Sequence, residues 1–315
     1  MSDLISGTGS RPTAQYPEDG HIPPEIETKH ARLSSILAEL GRVVVAYSGG
    51  VDSSLLLRVA LDELGRDRVL AVIAVSASMP EREREAALAL VEQLQASYRL
   101  IDTAELADPR YLCNPSDRCF YCKLGLFSSL TEIARDEGYK CVIDGTNADD
   151  AGDFRPGQTA GARLGVRSPL REAELGKAEI RSLSRWLGLP TWDKPAAACL
   201  ASRIPYGTPI TAGLLRQIDA AEQVLVELGF RQARVRHHGA VARIEVPPQD
   251  ILRLARPEIR DIVAQRLTTL GYRYVAVDLV GYRTGSLNEI LDPQTEPCTR
   301  ALSEAGAKGG VMPDE

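Results

Sequence analysis

The apolar run Arg42–Tyr47 (RVVVAY) leads into Tyr47-Ser48-Gly49-Gly50-Val51-Asp52-Ser53-Ser54, and an amphipathic stretch follows. That order reads as a strand, a glycine turn and a helix start. Consecutive glycines let backbone N–H groups approach an anion, and a helix N-terminus adds positive dipole. The hydroxyls of Ser48, Ser53 and Ser54 add donors for phosphate oxygens. The pattern G-x-x-x-x-G-K-[ST] is absent, so the loop is a phosphate site of another kind than Walker A, or a plain glycine-rich turn. A second stretch, Asp144-Gly145-Thr146-Asn147-Ala148-Asp149-Asp150, also follows an apolar run, Lys140–Asp144. Asp149, Asp150 and Asp153 are placed there to carry magnesium or orient a substrate, or to form a solvated acidic turn.

Cysteines make the second constellation. Arg118-Cys119-Phe120-Tyr121-Cys122-Lys123 holds a C-x-x-C pair, a spacing shared by zinc, iron–sulfur and redox sites. Two thiols cannot close a tetrahedral site. Cys199, in Ala198-Cys199-Leu200-Ala201-Ser202-Arg203, supplies a third. Three thiolates with no evident fourth suit a [4Fe–4S] cluster with one open iron, whereas closed structural sites use four ligands. Separate buried thiols or a dithiol redox pair are the alternatives. Lys123 and Arg118 would lower nearby thiol pKa values in either active case. Cys113, Cys141 and Cys298 read as incidental, in a loop, an apolar strand and a polar tail.

A third group is basic. Arg231, Arg234, Arg236, His237, His238 and Arg243 crowd a short segment of an otherwise acidic chain. Alternation puts Arg234 and Arg236 on one strand face, and arginine suits bidentate recognition of carboxylate and phosphate. A solvated face or subunit salt bridges would use the same residues. Glu222 flanks the apolar face of a helical pattern, so it needs a partner, expected in this basic segment, or a place in the substrate site. Ser202 and Arg203 follow Cys199 closely and are expected to line the same pocket.

The 315 residues carry 37 Lys plus Arg against 43 Asp plus Glu, a net charge of -6. Such a chain is a poor general polyanion binder, so nucleic acid is not the expected partner. No run approaches the ~20 apolar residues of a membrane span, and no secretory signal opens the chain, so a cytoplasmic protein is expected. Strands at 42–47, 69–75, 98–101 and 140–144 alternate with helices at 25–40, 53–64, 80–96 and from the cysteine loop to about 138. This alternation predicts an α/β fold with a doubly wound, mostly parallel sheet. Helices at 177–187, 211–228 and 257–269 and strands at 233–238, 241–246 and 273–279 follow. The reading gives a mobile tail at 1–24, a phosphate-loop domain at 25–203, a smaller α+β domain at 204–290 for substrate binding and oligomerisation, and a polar tail at 291–315. Tyr206 and Gly207 are the expected hinge.

SGGVDSS in this setting resembles the PP-loop of the N-type ATP pyrophosphatases, which split ATP between its α and β phosphates. The resemblance implies that Ser48, Gly49, Gly50, Asp52, Ser53 and Ser54 hold pyrophosphate, with Gly145 beside them and Ser76 and Ser78 near the adenine. It implies ATP and Mg2+ as cofactors, with the ion near Asp52 and Asp150. A narrower likeness follows from RCFYCK, DGTNADDAGDFRPG, KPAAACLASRIPYG, RVRHHGAVARIEV and DLVGYRTGS, which span roughly residues 30–290. Together these segments resemble the LarE family of ATP-dependent sulfur transferases, which build the nickel-pincer nucleotide of lactate racemase. The resemblance implies a pyridinium-3,5-biscarboxylic acid mononucleotide substrate, adenylated at its carboxylates. Sulfur then comes from a [4Fe–4S]-bound sulfide held by Cys119, Cys122 and Cys199, or sacrificially from Cys199. Lys123 is the candidate for adenylate charge, and a homo-oligomer, as a hexamer, is implied. A tRNA thiolase or an amide-forming synthetase of the same superfamily is the alternative.

Overall fold

The structure, a computed structural model, describes residues 22–152, 156–195, 198–283 and 287. Most of the expected tails, Cys298 and Asp153 lie outside these residues. Ile22, counted with the first tail, is 8% exposed and packs into the core.

The first lobe runs α1 (Pro24–Leu40), β1 (Val43–Ala46), α2 (Val51–Leu64), β2 (Val69–Val75), α3 (Glu81–Gln93), β3 (Ser97–Asp102), α4 (Pro109–Leu112), α5 (Arg118–Asp136), β4 (Cys141–Ile143), α6 (Pro156–Arg163), α7 (Pro169–Glu172) and α8 (Lys177–Trp186). Its four strands are all parallel, in the order β3-β2-β1-β4. β1 and β2 carry no exposed residue, which is why they read as continuous β-branched and aliphatic runs rather than alternations. Leu33, Leu37, Leu55, Leu56, Ile180 and Leu183 cover one face, and Phe127, Leu130 and Ala134 of α5 cover the other. The sheet is therefore doubly wound, as expected.

The order of strands reverses at β1, with β2 on one side and β4 on the other. In open α/β sheets ligands bind outside the carboxyl ends of strands at such a switch point. The turns after β1 and β4 are the two motif segments of the sequence.

The second lobe comprises α9 (Ala212–Glu227), β5 (Arg234–His238), β6 (Val241–Glu245), α10 (Ile251–Leu254), α11 (Pro257–Thr269) and β7 (Tyr274–Val277). β5 and β6 form the expected hairpin, and β7 adds parallel to β6 after the α11 crossover. Thr211 caps α9 by accepting from the Leu214 N–H at 3.1 Å. The joint between lobes is not a free hinge. Asn114 is fully buried and donates Nδ2 to the carbonyls of Pro205 (2.8 Å) and Thr208 (3.0 Å), while Gly207 N–H donates back to Asn114 O at 3.0 Å. A separate apolar cluster of Tyr111, Leu200, Ile204, Ile210, Leu215 and Ile218 spans this joint.

Candidate active site

β1 ends at the phosphate loop. Gly49 has φ +70°, and a Cβ there would stand 2.6 Å from Cβ of Ala87 on α3, so only glycine fits. Ser48 Oγ lies 3.1 Å from Ser53 Oγ, and Ser53 is 4% exposed at the start of α2. Ser54 is fully buried against Tyr47, their hydroxyls 3.4 Å apart, so it supports the loop rather than facing it. The second segment presses on the same helix start. A Cβ at Gly145 would lie 2.9 Å from the Ser53 backbone nitrogen. The two segments expected to meet at the switch point do meet.

Asp52 faces this junction from the first turn of α2. Its carboxylate accepts from Lys177 Nζ at 2.5 Å and from Asn147 Nδ2 at 3.2 Å. Asp149 accepts from the Lys177 N–H at 2.7 Å and so closes the start of α8. Asp150 is 8% exposed and accepts from the Asn147 N–H at 3.0 Å. Among the described residues no group of three or more His, Cys, Asp or Glu is set to hold a metal ion. The donor set at the loop is two carboxylates on separate segments, which fits a magnesium ion that takes its other ligands from phosphate and water.

Ser76 and Ser78 follow β2. Their hydroxyls lie 2.7 Å apart, and Ser76 donates to the buried carboxylate of Glu105. Leu200 N–H donates to Ser78 O at 2.7 Å, which brings the Cys199 segment to this strand end. At its other end the same segment is held by Lys194, whose Nζ donates to Gly49 O at 3.0 Å and pairs with Glu83 at 2.7 Å. Arg181 of α8 holds the carbonyls of Trp192 and Lys194, both at 2.8 Å. Lys177, Lys194 and Glu105 thus contact Asp52, Gly49 and Ser76, and the sequence reading missed all three. Lys177 had one local signal, its place at a helix start after Gly176.

Charge on Cys199 acts on both Cys119 and Cys122, but among the described residues the three thiols do not form a group set to hold a metal ion. Cys119 and Cys199 keep exposed edges, and Cys122 is half-buried. Burial pushes the Cys122 thiol up to about 12, and charge on Cys199 pushes the same way. Burial and Cys199 also raise Cys119, against the pull of Arg118 and Lys123. The expectation that these cations lower the thiols is thus met in direction, but burial outweighs it. Lys123 itself is exposed and lies over the Phe127 ring at 5.3 Å.

Arg203 and Glu222 depart from expectation. Both were expected to contact substrate, yet they are 1% and 0% exposed. Arg203 Nε and Nη2 donate to the two Glu222 oxygens at 2.8 and 3.0 Å. Its Nη1 donates to Ala198 O (2.7 Å), Cys199 O (2.9 Å) and Ser202 Oγ (2.9 Å). Glu222 also accepts from Val235 N–H and from Arg82. Its arginine hydrogen bonds come from the Cys199 segment and α3, while the basic hairpin adds the Val235 N–H and the charge of Arg234. Burial works against the Glu222 charge, but Arg203, Arg234 and the Val235 N–H hold it below its ordinary value. With every donor and acceptor used, the pair carries the Cys199 segment from beneath.

Arg234 and Arg236 share a strand face, as alternation required, and each is 6% exposed. Arg236 donates to Ser202 O and pairs with Glu245, both at 2.8 Å, so it ties β5 to the Cys199 segment instead of standing open. Arg234 lines a groove together with Arg82, Lys194, Ala198, Arg203 and Arg231. Five cations line this groove, but Arg82, Lys194, Arg203 and Arg231 are each paired with a carboxylate, of Glu222, Glu83, Glu222 and Asp193 in turn.

The NAD synthase family model matches residues 27–109, the half of the first lobe that carries the phosphate loop. A pyridinium-3,5-bisthiocarboxylic acid mononucleotide synthase of Lactiplantibacillus plantarum is 41% identical over 266 residues, covering 84% of this chain and 96% of that one. The chain belongs to the LarE family. An uncharacterized protein of Synechocystis is 44% identical over 84% of this chain and 99% of its own. An NH(3)-dependent NAD(+) synthetase of Chlorobaculum tepidum is 26% identical over 51% of this chain and 58% of its own. No helix among the described residues is long and apolar enough to cross a membrane.

Proposed function

We propose that this LarE-family chain uses ATP to turn the carboxylates of a pyridinium-3,5-biscarboxylic acid mononucleotide into thiocarboxylates. A carboxylate is a poor acyl donor because its leaving group is oxide. Attack of a carboxylate oxygen on the α-phosphate expels pyrophosphate and makes AMP the leaving group. A sulfur nucleophile then attacks the acyl carbon and AMP departs. The observation that carries this reading is the double tie of the Cys199 segment to the nucleotide lobe, at Gly49 through Lys194 and at Ser78 through Leu200. This tie supports a thiol close to where an adenylate would form, and proximity of this kind is a large part of acyl-transfer catalysis.

In this reading Ser48, Gly49, Gly50 and Ser53 hold the pyrophosphate, and Asp52 with Asp150 takes Mg2+. Lys177 and Lys194 offset phosphate charge from either side of the loop. Arg234, with Arg82 and Arg231, receives the substrate phosphate or free carboxylate. Cys119, Cys122 and Cys199 would be the ligands of a [4Fe–4S] cluster, which would supply a transferable sulfide. Without it, Cys199 gives up its own sulfur, with Cβ–Sγ cleavage and loss of the Cα proton leaving dehydroalanine. Assembly as a homo-oligomer is supported by Tyr274, Leu279 and Val280, which stand 61%, 85% and 62% exposed on and after the edge strand β7.

Iron and sulfide content of protein purified without oxygen, beside Cys119→Ala, tests the sulfur source. About four irons per chain, lost in the variant, is the expected result. No iron, with intact mass falling by one H2S after turnover, assigns the sulfur to Cys199. Absence of both signals leaves the phosphate loop standing and reopens the choice of acceptor and reaction. The groove has its own test. Arg234→Ala is expected to weaken the mononucleotide by about 10- to 100-fold, the scale of one charged hydrogen bond, and to spare ATP. Equal mononucleotide affinity by calorimetry would remove Arg234 from the substrate site.

A further inference from the structure

Asn147 is 4% exposed and ties the acidic residues of the switch point together. Its Nδ2 donates to Asp52 at 3.2 Å, its backbone N–H donates to Asp150 at 3.0 Å, and its Oδ1 accepts from the Asp149 N–H at 3.0 Å. Lys177 enters this group at both of its ends. Its backbone N–H donates to Asp149 Oδ2 at 2.7 Å, and its Nζ donates to Asp52 Oδ2 at 2.5 Å.

The two ends are held differently. The main chain is fixed by the start of α8. Gly176 N–H donates to Glu179 at 2.8 Å, and Glu179 pairs with Lys29 at 2.6 Å. A Cβ on Gly176 would stand 3.0 Å from Asp149 Oδ1, so this turn is pressed onto the acidic segment. The ammonium end is free to move. The Lys177 side chain is 35% exposed, and a lysine carries its charge on a flexible four-carbon stem.

This sets two cations in competition for Asp52. The ammonium takes Oδ2 and Asn147 takes one side of Oδ1, so a divalent ion reaches this carboxylate only against a like charge. Ser53 follows Asp52 in the chain and shares the loop with Ser48. Phosphate held there offers the ammonium a second anion one residue from the first.

We propose that Lys177 is a placeholder cation, which neutralises Asp52 until a nucleotide arrives and then moves to phosphate, releasing Oδ2 to Mg2+. The inference deepens the proposed function and rests on it only for ATP and Mg2+. It makes the two bindings interdependent: the ion binds poorly alone and enters with the nucleotide, and each raises the affinity of the other. Lys177 is thus a positioning residue that sets the order of binding.

The test uses Mn2+ as a paramagnetic probe, titrated into the nucleotide-free protein while the signal of free ion is followed. The chains are wild type, Lys177→Met, Lys177→Arg, and Lys177→Met combined with Asp52→Asn. Lys177→Met is expected to bind Mn2+ at least about tenfold more tightly than wild type. Lys177→Arg keeps a cation on Asp52 and should resemble wild type, and the double variant should lose the gain. With metal removed by chelator, affinity for α,β-methylene-ATP should fall about tenfold in Lys177→Met. Equal Mn2+ affinity in wild type and Lys177→Met overturns the proposal. So does a gain that survives Asp52→Asn, or metal-free nucleotide affinity that Lys177→Met leaves unchanged. The expected Mn2+ pattern in a chain that forms no thiocarboxylate from ATP and the biscarboxylate mononucleotide keeps the placeholder and ends the sulfur-transfer reading. Thiocarboxylate formation with equal Mn2+ affinities ends the placeholder alone.

Discussion

Asp52→Ala is expected to lower pyrophosphate release by about three orders of magnitude, while leaving the protein folded. The two halves of that expectation have separate causes. Asp52 stands on the first turn of the helix that follows the phosphate loop, with its carboxylate fixed by Lys177 and Asn147. On the proposed reading Asp52 would hold Mg2+ against the phosphates, and loss of a preorganised group of that kind is worth ~10²–10³ in rate. The Asp52–Lys177 pair is only part-buried, at 23% and 35% exposure. Pairs of that kind contribute about 0–1 kcal/mol to stability. A single-turnover assay of pyrophosphate, read beside thermal unfolding, separates the two effects. Undiminished release would take Asp52 out of the site.

Glu222→Ala should behave in the opposite way, with stability failing first. Glu222 is fully buried and fills Arg203, Arg82 and the Val235 N–H. Truncation leaves the Arg203 guanidinium buried beside Arg234 with no counter-charge. Breaking one side of a buried pair costs about 3–5 kcal/mol. At ~2–4 °C per kcal/mol for a chain of this size, the melting temperature falls by about 10 °C. The sign of the pH dependence follows from the lowered pKa of Glu222. Its contribution is complete above the ~4.3 of an unfolded glutamate and is lost as pH falls through the lower folded value. The gap between wild type and Glu222→Ala should therefore be constant near neutrality and shrink under strong acid. A melting temperature unchanged at neutral pH would show that Arg203 finds its charge elsewhere.

The strands and the phosphate loop could be read from the sequence because their signals are local. RVVVAY and VLAVIAV are buried on both faces, and SGGVDSS joins strand to helix within eight residues. α6, with the sequence PGQTAGAR, could not be read in that way. Its glycines argue against a helix in isolation. They are there because α6 packs closely on α5: a Cβ at Gly157 would lie 2.9 Å from Lys123 Cγ, and one at Gly161 would lie 3.1 Å from the Phe127 ring. Lys177 and Lys194 act on partners 125 and 145 residues away, a distance that no local pattern records. For Glu222 the periodicity showed that a carboxylate flanked the apolar face, but the choice between Arg203 and the hairpin arginines needed the fold. The same holds for Arg236, whose face was predictable and whose use on Ser202 O and Glu245 was not.

The apolar cluster across the joint has a thermodynamic consequence. Tyr111 and the partly buried Leu106, Leu112 and Cys122 belong to the first lobe, while Ile210, Leu215 and Ile218 belong to the second. Separating the lobes would expose this cluster and break the Asn114 hydrogen bonds and the Arg203–Glu222 pair together. Neither lobe can melt without stripping the other of its support, so calorimetry should record one cooperative transition, not two. The thiol-bearing seam then stays ordered for as long as the chain is folded at all.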